Sequence, residues 1–159
     1  MLGDAVTPEV AEAWNEVCWL FATPVRRIEE THGDVTLVLE PADGGDLPAI
    51  DPGQYVSMFV DLPGGDRQPR QYTVPSTASG TRLQITVSHE KGVHGAPNGR
   101  VSSYLHDHAA VGDLLDVSAP AGDFVVPQSG GPLLLASAGA GITTVLPIVE
   151  HIARTQPER

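Results

Sequence analysis

The sequence predicts a mainly β chain, in which an antiparallel β-barrel follows an N-terminal helix and precedes an incomplete α/β unit. Several short segments alternate apolar with polar residues, as half-buried strands do. Gly and Pro, with 17 and 14 of the 159 residues, separate these segments. Near the C-terminus, a continuous apolar run is followed by a glycine turn and a helix-like apolar stripe. The length indicates about one domain with its own core.

The N-terminal segment, residues 1–21, is predicted to be helical. Thr7 can cap the helix, and Pro8 suits its first position. The helix is expected to end before Pro24. Its apolar stripe has the i, i+3, i+4, i+7 spacing and consists of Trp14, Val17, Cys18 and Phe21.

Residues 22–127 are predicted to form the barrel. Alternation is clearest in the segments DVTLVLE and RLQITVS, and QYVSMFV, RQYTV and DLLDVSA are further strand candidates. The segments PADGGD, LPGGD and TASG separate them. Closely spaced strands with Gly and Pro turns are typical of an antiparallel barrel. One helix is expected within it at residues 101–108, after a tight turn at Asn98 and Gly99.

The segment RQYT supplies the first candidate binding residues. Side chains alternate along a strand, so Arg70 and Tyr72 share one face, about 7 Å apart, while Gln71 and Thr73 share the other. A cation beside an aromatic ring suits a ligand with both a phosphate and a flat heterocycle. Alternatively, Tyr72 fills the core and Arg70 is its solvated neighbour, and these four residues alone favour that second interpretation.

The start of the predicted internal helix is a second candidate site. Unpaired backbone N–H groups and a partial positive charge at a helix N-terminus attract an anion, and Ser102 and Ser103 would add hydroxyl donors. The alternative is that the two serines only cap the helix. Taken alone, the segment supports both interpretations equally.

Residues 128–159 have the pattern of the first unit of a nucleotide-binding α/β sheet. PLLLASA is typical of a buried strand, and Gly139 and Gly141 would let the backbone approach a phosphate or allow tight strand–helix packing. Pro147 would cost roughly 3 kcal/mol in a helix starting near Ile142, so that helix should start later or kink. Its apolar positions are Ile142, Val145, Leu146, Val149 and Ile152.

Charge and cysteine content exclude several function classes. A net charge of -11 repels phosphate backbones and anionic lipids, so we expect neither a nucleic-acid nor a membrane partner. The single Cys18 excludes an internal disulfide and a thiolate metal cage. An acidic N-terminus and the lack of an apolar run of ~20 residues predict a cytoplasmic protein.

No metal site and no catalytic nucleophile are predicted. His106 and His108 diverge at i, i+2 on a helix, so they are expected to be solvated helix residues. His89 and His94 are expected to lie in a surface loop. No serine lies in a nucleophile elbow.

Five segments, in order, resemble the reductase half of bacterial flavohaemoglobins, within the ferredoxin–NADP reductase superfamily. They are LEPADGG, PGQYVSM, RQYT, GRVSSYLHDHAAVGDLLDVSAPAGDF and ASAGAGIT. The resemblance covers residues 26–146, and residues 1–21 are similar to the last globin helix of the same proteins. It implies a Greek-key FAD-binding barrel, hydride transfer from NAD(P)H to FAD, and single-electron transfer to haem, where bound oxygen oxidises nitric oxide to nitrate.

The resemblance also implies a cofactor site. Arg70 would pair with the FAD phosphates, Tyr72 would lie against the flavin and ribityl portion, and Thr73, where serine is commoner, would reach towards flavin N5. Residues 99–102 match the start of the family's pyrophosphate-binding helix, which favours the anion interpretation of that segment. The sequence VSHE, residues 87–90, replaces the family's more basic VKRE, which would reduce the attraction of the site for phosphate. The remaining cofactor positions are Tyr55, Gln71, Val87, Ser88, His89, Gly99, Val101, Ser102, Gly139, Ala140, Gly141, Ile142, Thr143 and Thr144.

The sequence departs from the family pattern in three respects. Haem belongs only to the full-length family, because no globin domain with a proximal histidine precedes residues 22–127. GAGITT replaces GxGxTP, with Thr144 in place of proline, which affects the NAD(P)H loop. The sequence also stops after the first helix of the nucleotide unit.

These departures predict a fragment or degenerate product of a flavohaemoglobin-like gene, unable to complete turnover alone. Its partner would be a globin/haem domain or another electron acceptor. Two alternatives are a stand-alone NAD(P)H:flavin or ferredoxin-type reductase fragment whose other half is encoded elsewhere, and a non-catalytic remnant that serves as a binding module.

Overall fold

The computed structural model describes residues 18–31, 33–74, 80–127 and 131–158. Helix α1 (Arg100–His108) lies between the fifth and sixth strands, and a 3-10 turn (Gly139–Gly141) leads into helix α2 (Ile142–Thr155). The strands of these ranges are β1 (Cys18–Thr31), β2 (Asp34–Pro41), β3 (Tyr55–Leu62), β4 (Asp66–Thr73), β5 (Leu83–Ser88) and β6 (Leu115–Ser118).

The strands form one antiparallel sheet in the order β4-β3-β6-β1-β2-β5. β4 and β5 are therefore its two edges, yet their Cα atoms come within 8 Å of each other, so the sheet is rolled. No ladder joins β4 to β5 among the residues that the structure describes. The predicted antiparallel, mainly β fold is confirmed. The sheet resembles a barrel that is not closed between β4 and β5, and we call this open line the seam.

The core is formed by the alternating residues of the predicted strands. Val35, Leu37 and Leu39 of β2 are fully buried, as are Leu83 and Ile85 of β5. Each such side chain contributes about 1.5–3 kcal/mol on burial. β2 lies between β1 and β5 and also buries its second face, where Thr36 Oγ1 and Thr86 Oγ1 share a hydrogen bond of 2.9 Å.

The helix predicted over residues 1–21 is wrong at its C-terminal end. Residues 18–21 belong to β1, where Cys18 pairs with Ser118 and Phe21 with Asp116 of β6. β1 also pairs with β2 from Ala22 onward. Two ladders of backbone hydrogen bonds outweigh a local helical spacing, because tertiary context overrides propensity. Residues 1–17, with the rest of the predicted helix, lie outside the described residues.

Helix α1 is confirmed at the predicted position and is held in place by Arg27 of β1. The Arg27 guanidinium donates to the carbonyl oxygens of Leu105 (3.2 Å), His106 (2.9 Å) and Ala109 (3.2 Å). Carbonyls at a helix C-terminus lack intrahelical partners and favour a nearby cation. With Val101 and Leu105 buried in the core, this contact fixes the direction in which the N-terminus of α1 points.

The strand predicted at PLLLASA is wrong. Residues 132–138 form no strand, and the side chain of Leu134 is 95% exposed. A buried parallel strand needs neighbours on both sides. All strands of the described residues belong to the one antiparallel sheet, and none of them pairs with this run.

Helix α2 begins at Ile142 and continues through Pro147, so the expectation of a later start is wrong. Pro147 is the sixth residue of the helix, and only one backbone donor is lost there. Pro147 and Ile148 are buried, whereas Ile142, Leu146 and Val149 of the predicted apolar stripe are exposed. In the described part of the chain, neither helix has the length and apolar content needed to cross a bilayer.

Candidate functional site at the seam

Arg70 lies on the edge strand β4 and is exposed. Its guanidinium donates to the Pro69 carbonyl (2.7 Å) and to Gln68 Oε1 (3.1 Å). Within the described ranges it forms no ion pair with a carboxylate. Its charge is therefore available to an anionic ligand.

Arg67, on the same strand, is in the opposite situation. It forms ion pairs with Asp116 and with Asp61 (3.2 Å), and its guanidinium carbon lies 5.4 Å from the centre of the Phe59 ring. The hydrogen bond with Asp116 raises the pKa of Arg67 above its usual value. Arg67 thus has a structural role, and it provides a matched control for Arg70.

Tyr72 is partly buried and packs against the core, as the core-filling interpretation required. Burial raises the pKa of Tyr72 to about 12, although the nearby charge of Arg70 acts in the opposite direction. The phenol is therefore protonated at neutral pH. Tyr72 also lines two clefts, one of which it shares with Arg70.

The larger cleft, of about 570 Å³, lies between the seam and the start of α2. Ser88 Oγ donates to Asp34 Oδ1 at 2.6 Å, and the hydroxyl oxygens of Thr73 and Thr144 are 3.0 Å apart. Hydroxyl groups thus dominate its polar surface. Its lining residues are Asp34, Gln71, Tyr72, Thr73, Thr86, Ser88, Gly139, Ile142, Thr143 and Thr144.

The smaller cleft, of about 270 Å³, lies between β4 and the N-terminus of α1. It shares Gln71, Tyr72 and Ser88 with the larger cleft, so the two clefts are adjacent around Tyr72. We call them together the seam site. The smaller cleft is lined by Arg70, Gln71, Tyr72, Ser88, Glu90, Gly99, Val101 and Ser102.

The N-terminus of α1 carries no side-chain cap, and its N-cap residue is Gly99. The capping interpretation of the serines is therefore wrong. Ser102 lies inside the first turn, where its hydroxyl donates to the Gly99 carbonyl (3.1 Å) and accepts from the Glu90 N–H (3.1 Å). The first backbone N–H groups of a helix lack intrahelical partners, so this end of α1 can still bind an anion.

Close packing around Gly99 and an ion pair of Arg100 position the N-terminus of α1. A Cβ on Gly99 would lie 2.7 Å from Ser102 Oγ and 2.8 Å from Glu90 Cβ, so no side chain fits there. Arg100 forms an ion pair of 2.7 Å with Asp66 at the start of β4. The hydrogen bond from Arg100, helped by its charge, lowers the pKa of Asp66.

Four predicted site residues whose surroundings the structure describes, Tyr55, Val87, His89 and Gly141, do not line the clefts. Tyr55 is paired with Thr73 across the β3–β4 ladder, and its ring lies 3.0 Å from where a Cβ on Gly122 would be. Val87 is buried in the core. Ala140 and Gly141 lie in the 3-10 turn before α2.

His89 forms a small cluster with His106 of α1. Its ring stacks on that of His106 with the centroids 4.9 Å apart, and its Nε2 lies 3.1 Å from Ser103 Oγ. His106 Nε2 donates to the Val87 carbonyl at 2.9 Å. We expected His106 to be a solvated helix residue, but it is half-buried. Its contacts join β5 to α1.

Three cleft residues, Asp34, Thr86 and Glu90, were not among the predicted site residues. Alternation along β5 could have indicated Thr86, which shares a face with Ser88. Asp34 faces Ser88 only through the β2–β5 register, which the sequence does not contain. Glu90 brings a carboxylate to the cleft that also holds Arg70, so the site is of mixed charge.

A family model described as the oxidoreductase FAD-binding domain matches residues 46–126, which include both β4 and α1. Among individual relatives, the flavohemoprotein of Deinococcus radiodurans is 37% identical over 100% of this chain and 45% of its own length. That of Chromobacterium violaceum is 39% identical over 90% of this chain and 43% of its own length. The chain thus spans less than half of these relatives.

Solved structures give a consistent result. The flavohem-like FAD/NAD-binding domain of nitric oxide dioxygenase from Vibrio cholerae has a TM-score of 0.76 at 35% identity, over 86% of this chain and 58% of that one. Flavohemoglobin from Malassezia yamatoensis, solved with bound FAD and heme, has a TM-score of 0.77 at 31% identity, over 99% of this chain and 46% of that one.

Proposed function

The chain belongs to the oxidoreductase FAD-binding domain family, and we propose that it is the flavin module of a flavohaemoglobin-type nitric oxide dioxygenase. In this proposal the module passes electrons from NAD(P)H through FAD to the haem of a globin domain in the cytoplasm. The observation that carries it is the seam site, where an arginine with no carboxylate partner in the described ranges, an aromatic ring and a helix N-terminus line two adjacent clefts.

The residues of the seam site fit the chemistry of FAD. Arg70 and the N–H groups that begin α1 suit the two phosphates, because a guanidinium can bind phosphate oxygens in pairs and a helix start favours an anion. The Tyr72 ring suits contact with a flat heterocycle. The clefts together have the size typical of cofactor sites, roughly 300–1,000 Å³.

Bound FAD supplies a centre that accepts electrons in pairs and releases them singly. The residues of this chain bind and orient it. Arg70 holds the phosphates, Tyr72 presents a protonated phenol and an apolar ring, and Thr73 Oγ1 offers a hydrogen bond towards flavin N5. Gly139, Ile142, Thr143 and Thr144 line the other side of the larger cleft, where the nicotinamide donor would approach.

The proposed function is tested by adding FAD to the purified chain and following flavin absorbance and fluorescence. We expect stoichiometric binding, shown by a shift of the flavin bands and by changed fluorescence. Under anaerobic conditions, we expect chemical reduction of the bound flavin by dithionite but little reduction by NADH or NADPH, because residues 132–138 form no strand that could support a nucleotide site before α2. A chain that shows the circular dichroism of a folded β protein and binds no FAD would instead favour a non-catalytic binding module.

A further inference from the structure

One side-chain hydrogen bond joins the end of the edge strand β4 to the start of α2. Thr73 is the last residue of β4 and Thr144 the third residue of α2, and their Oγ1 atoms are 3.0 Å apart. Both side chains are partly buried, and both line the larger cleft. The bond therefore crosses from the barrel to the C-terminal unit inside the candidate site.

We propose that Thr144 is a positioning residue, whose hydroxyl fixes that of Thr73 and latches the first turn of α2 onto the barrel. We call the pair the threonine latch. The latch itself rests on the structure alone. Its consequence for the flavin rests on the proposed function, because only there does Thr73 face flavin N5.

The hydrogen-bonding capacity of a hydroxyl explains how the latch would act. Each threonine has one donor hydrogen and two acceptor lone pairs, and either oxygen of this pair can be the donor. When Thr144 donates to Thr73, the Thr73 hydrogen is left to donate into the cleft. When Thr73 donates to Thr144, its lone pairs are left to accept from the cleft.

This reversibility matches the two redox states of a flavin. Oxidised flavin presents N5 as an acceptor, and reduced flavin presents an N5–H donor. The threonine latch can satisfy both states by reversing one hydrogen bond, with no movement of the backbone. A side chain without a hydroxyl at position 144 would leave the Thr73 hydroxyl without this partner.

Helix α2 has a second attachment that is independent of the latch. Pro147 and Ile148 are buried, and Ile148 Cδ1 would lie 3.3 Å from a Cβ placed on Gly53. Loss of the latch should therefore loosen the first turn of α2 and the end of β4 without detaching the helix. A substitution of Thr144 therefore reports a local effect of the hydroxyl and not a general loss of packing.

The test compares Thr144→Val, which keeps the shape but removes the hydroxyl, with Thr144→Ser, which keeps the hydroxyl. Thr155→Val is the control, because Thr155 Oγ1 bonds to the His151 carbonyl within α2, far from the clefts. Amide hydrogen exchange is measured on the chain without FAD. We expect exchange at the end of β4 and in the second turn of α2, whose amides bond to carbonyls of the first turn, to be about fivefold to tenfold faster in Thr144→Val only, as loss of one hydrogen bond implies.

The second readout is the reduction potential of bound flavin, measured by dye equilibration. We expect Thr144→Val to shift it and Thr144→Ser to restore the wild-type value. Equal exchange in wild type and Thr144→Val would overturn the latch, as would equal changes in Thr144→Val and Thr144→Ser. An unchanged potential in Thr144→Val overturns the link to N5. Failure of the wild-type chain to bind FAD counts against the proposed function, while hydrogen exchange still decides the latch.

Discussion

Arg70 and Tyr72 lie two residues apart on the edge strand β4 and line the same cleft, where the guanidinium charge opposes the effect of burial on the phenol. The arrangement pairs a cation with a half-buried aromatic ring on one side of a single strand. The N-terminus of α1 faces them across the smaller cleft. These three features suit a ligand that is anionic at one end and aromatic at the other, as the proposed function requires.

Replacing Arg70 by alanine should weaken FAD binding by about tenfold to a hundredfold, the loss of one or two charge-assisted hydrogen bonds of roughly 1.5–3 kcal/mol. The melting temperature should change little, because Arg70 is exposed and has no carboxylate partner in the described residues. Titration calorimetry with FAD gives the affinity.

Arg67→Ala is the matched control for this experiment. It removes a guanidinium from the same strand that is bound to Asp116 and Asp61, so it should lower stability and leave FAD affinity close to that of the wild type. Equal affinities of wild type and Arg70→Ala would contradict the phosphate role of Arg70.

The Tyr72 phenol should make stability depend on pH in the alkaline range. Its pKa is about 12 in the folded chain, against about 10 when unfolded. Because the pKa in the folded chain is the higher one, the protonated phenol contributes its full stabilisation below pH ~10. This stabilisation is lost as pH rises towards ~12. In urea titrations, the free energy of unfolding of the wild type should fall over that window by up to about 2–3 kcal/mol more than that of Tyr72→Phe. Parallel pH curves for the two proteins would refute this.

Gly99→Ala should destabilise the chain by about 1–3 kcal/mol, since its Cβ would collide with Ser102 Oγ and Glu90 Cβ. It should also weaken FAD binding, because the start of α1 must move. Gly80→Ala is the control, since a Cβ there meets nothing within 4 Å. Chemical denaturation and FAD titration of both variants provide the comparison, and equal stabilities would show that α1 accommodates the side chain.

Arg27→Met should destabilise α1, because three carbonyl oxygens at its C-terminus lose their hydrogen bonds to the guanidinium, and of these the Leu105 carbonyl keeps another donor, the Ala109 N–H. The expected loss is about 2 kcal/mol in free energy of unfolding. Arg26→Met, which removes an adjacent arginine of β1, is the control and should lie within about 0.5 kcal/mol of the wild type. Hydrogen exchange in α1 should rise only in Arg27→Met. If the two variants behave alike, Arg27 does not anchor the helix.

The strands with regular alternation were predictable because a period of two is written directly in the sequence. Val35, Leu37 and Leu39 identified β2, and RQYT identified the end of β4 with its two faces. β1 was missed because charged residues and Pro24 interrupt any alternation, and its ends carry register shifts. Pairing with β2, which follows it directly in sequence, and with β6, which is distant, makes it a strand.

The candidate site was predictable where a residue's role depends on its own segment and not where it depends on register. Arg70, Tyr72 and the start of α1 fall in this first group. Asp34 reaches the larger cleft only because β2 pairs with β5 so that Asp34 faces Ser88. The Thr73–Thr144 contact links positions 71 residues apart, and no local pattern encodes it.

The most direct test of the central claim is a crystal structure of the chain grown with FAD. We predict electron density for the phosphates beside Arg70 and the first turn of α1, with the flavin ring against Tyr72 in the larger cleft. FAD bound elsewhere on the molecule, with the clefts around Tyr72 free of it, would contradict the claim.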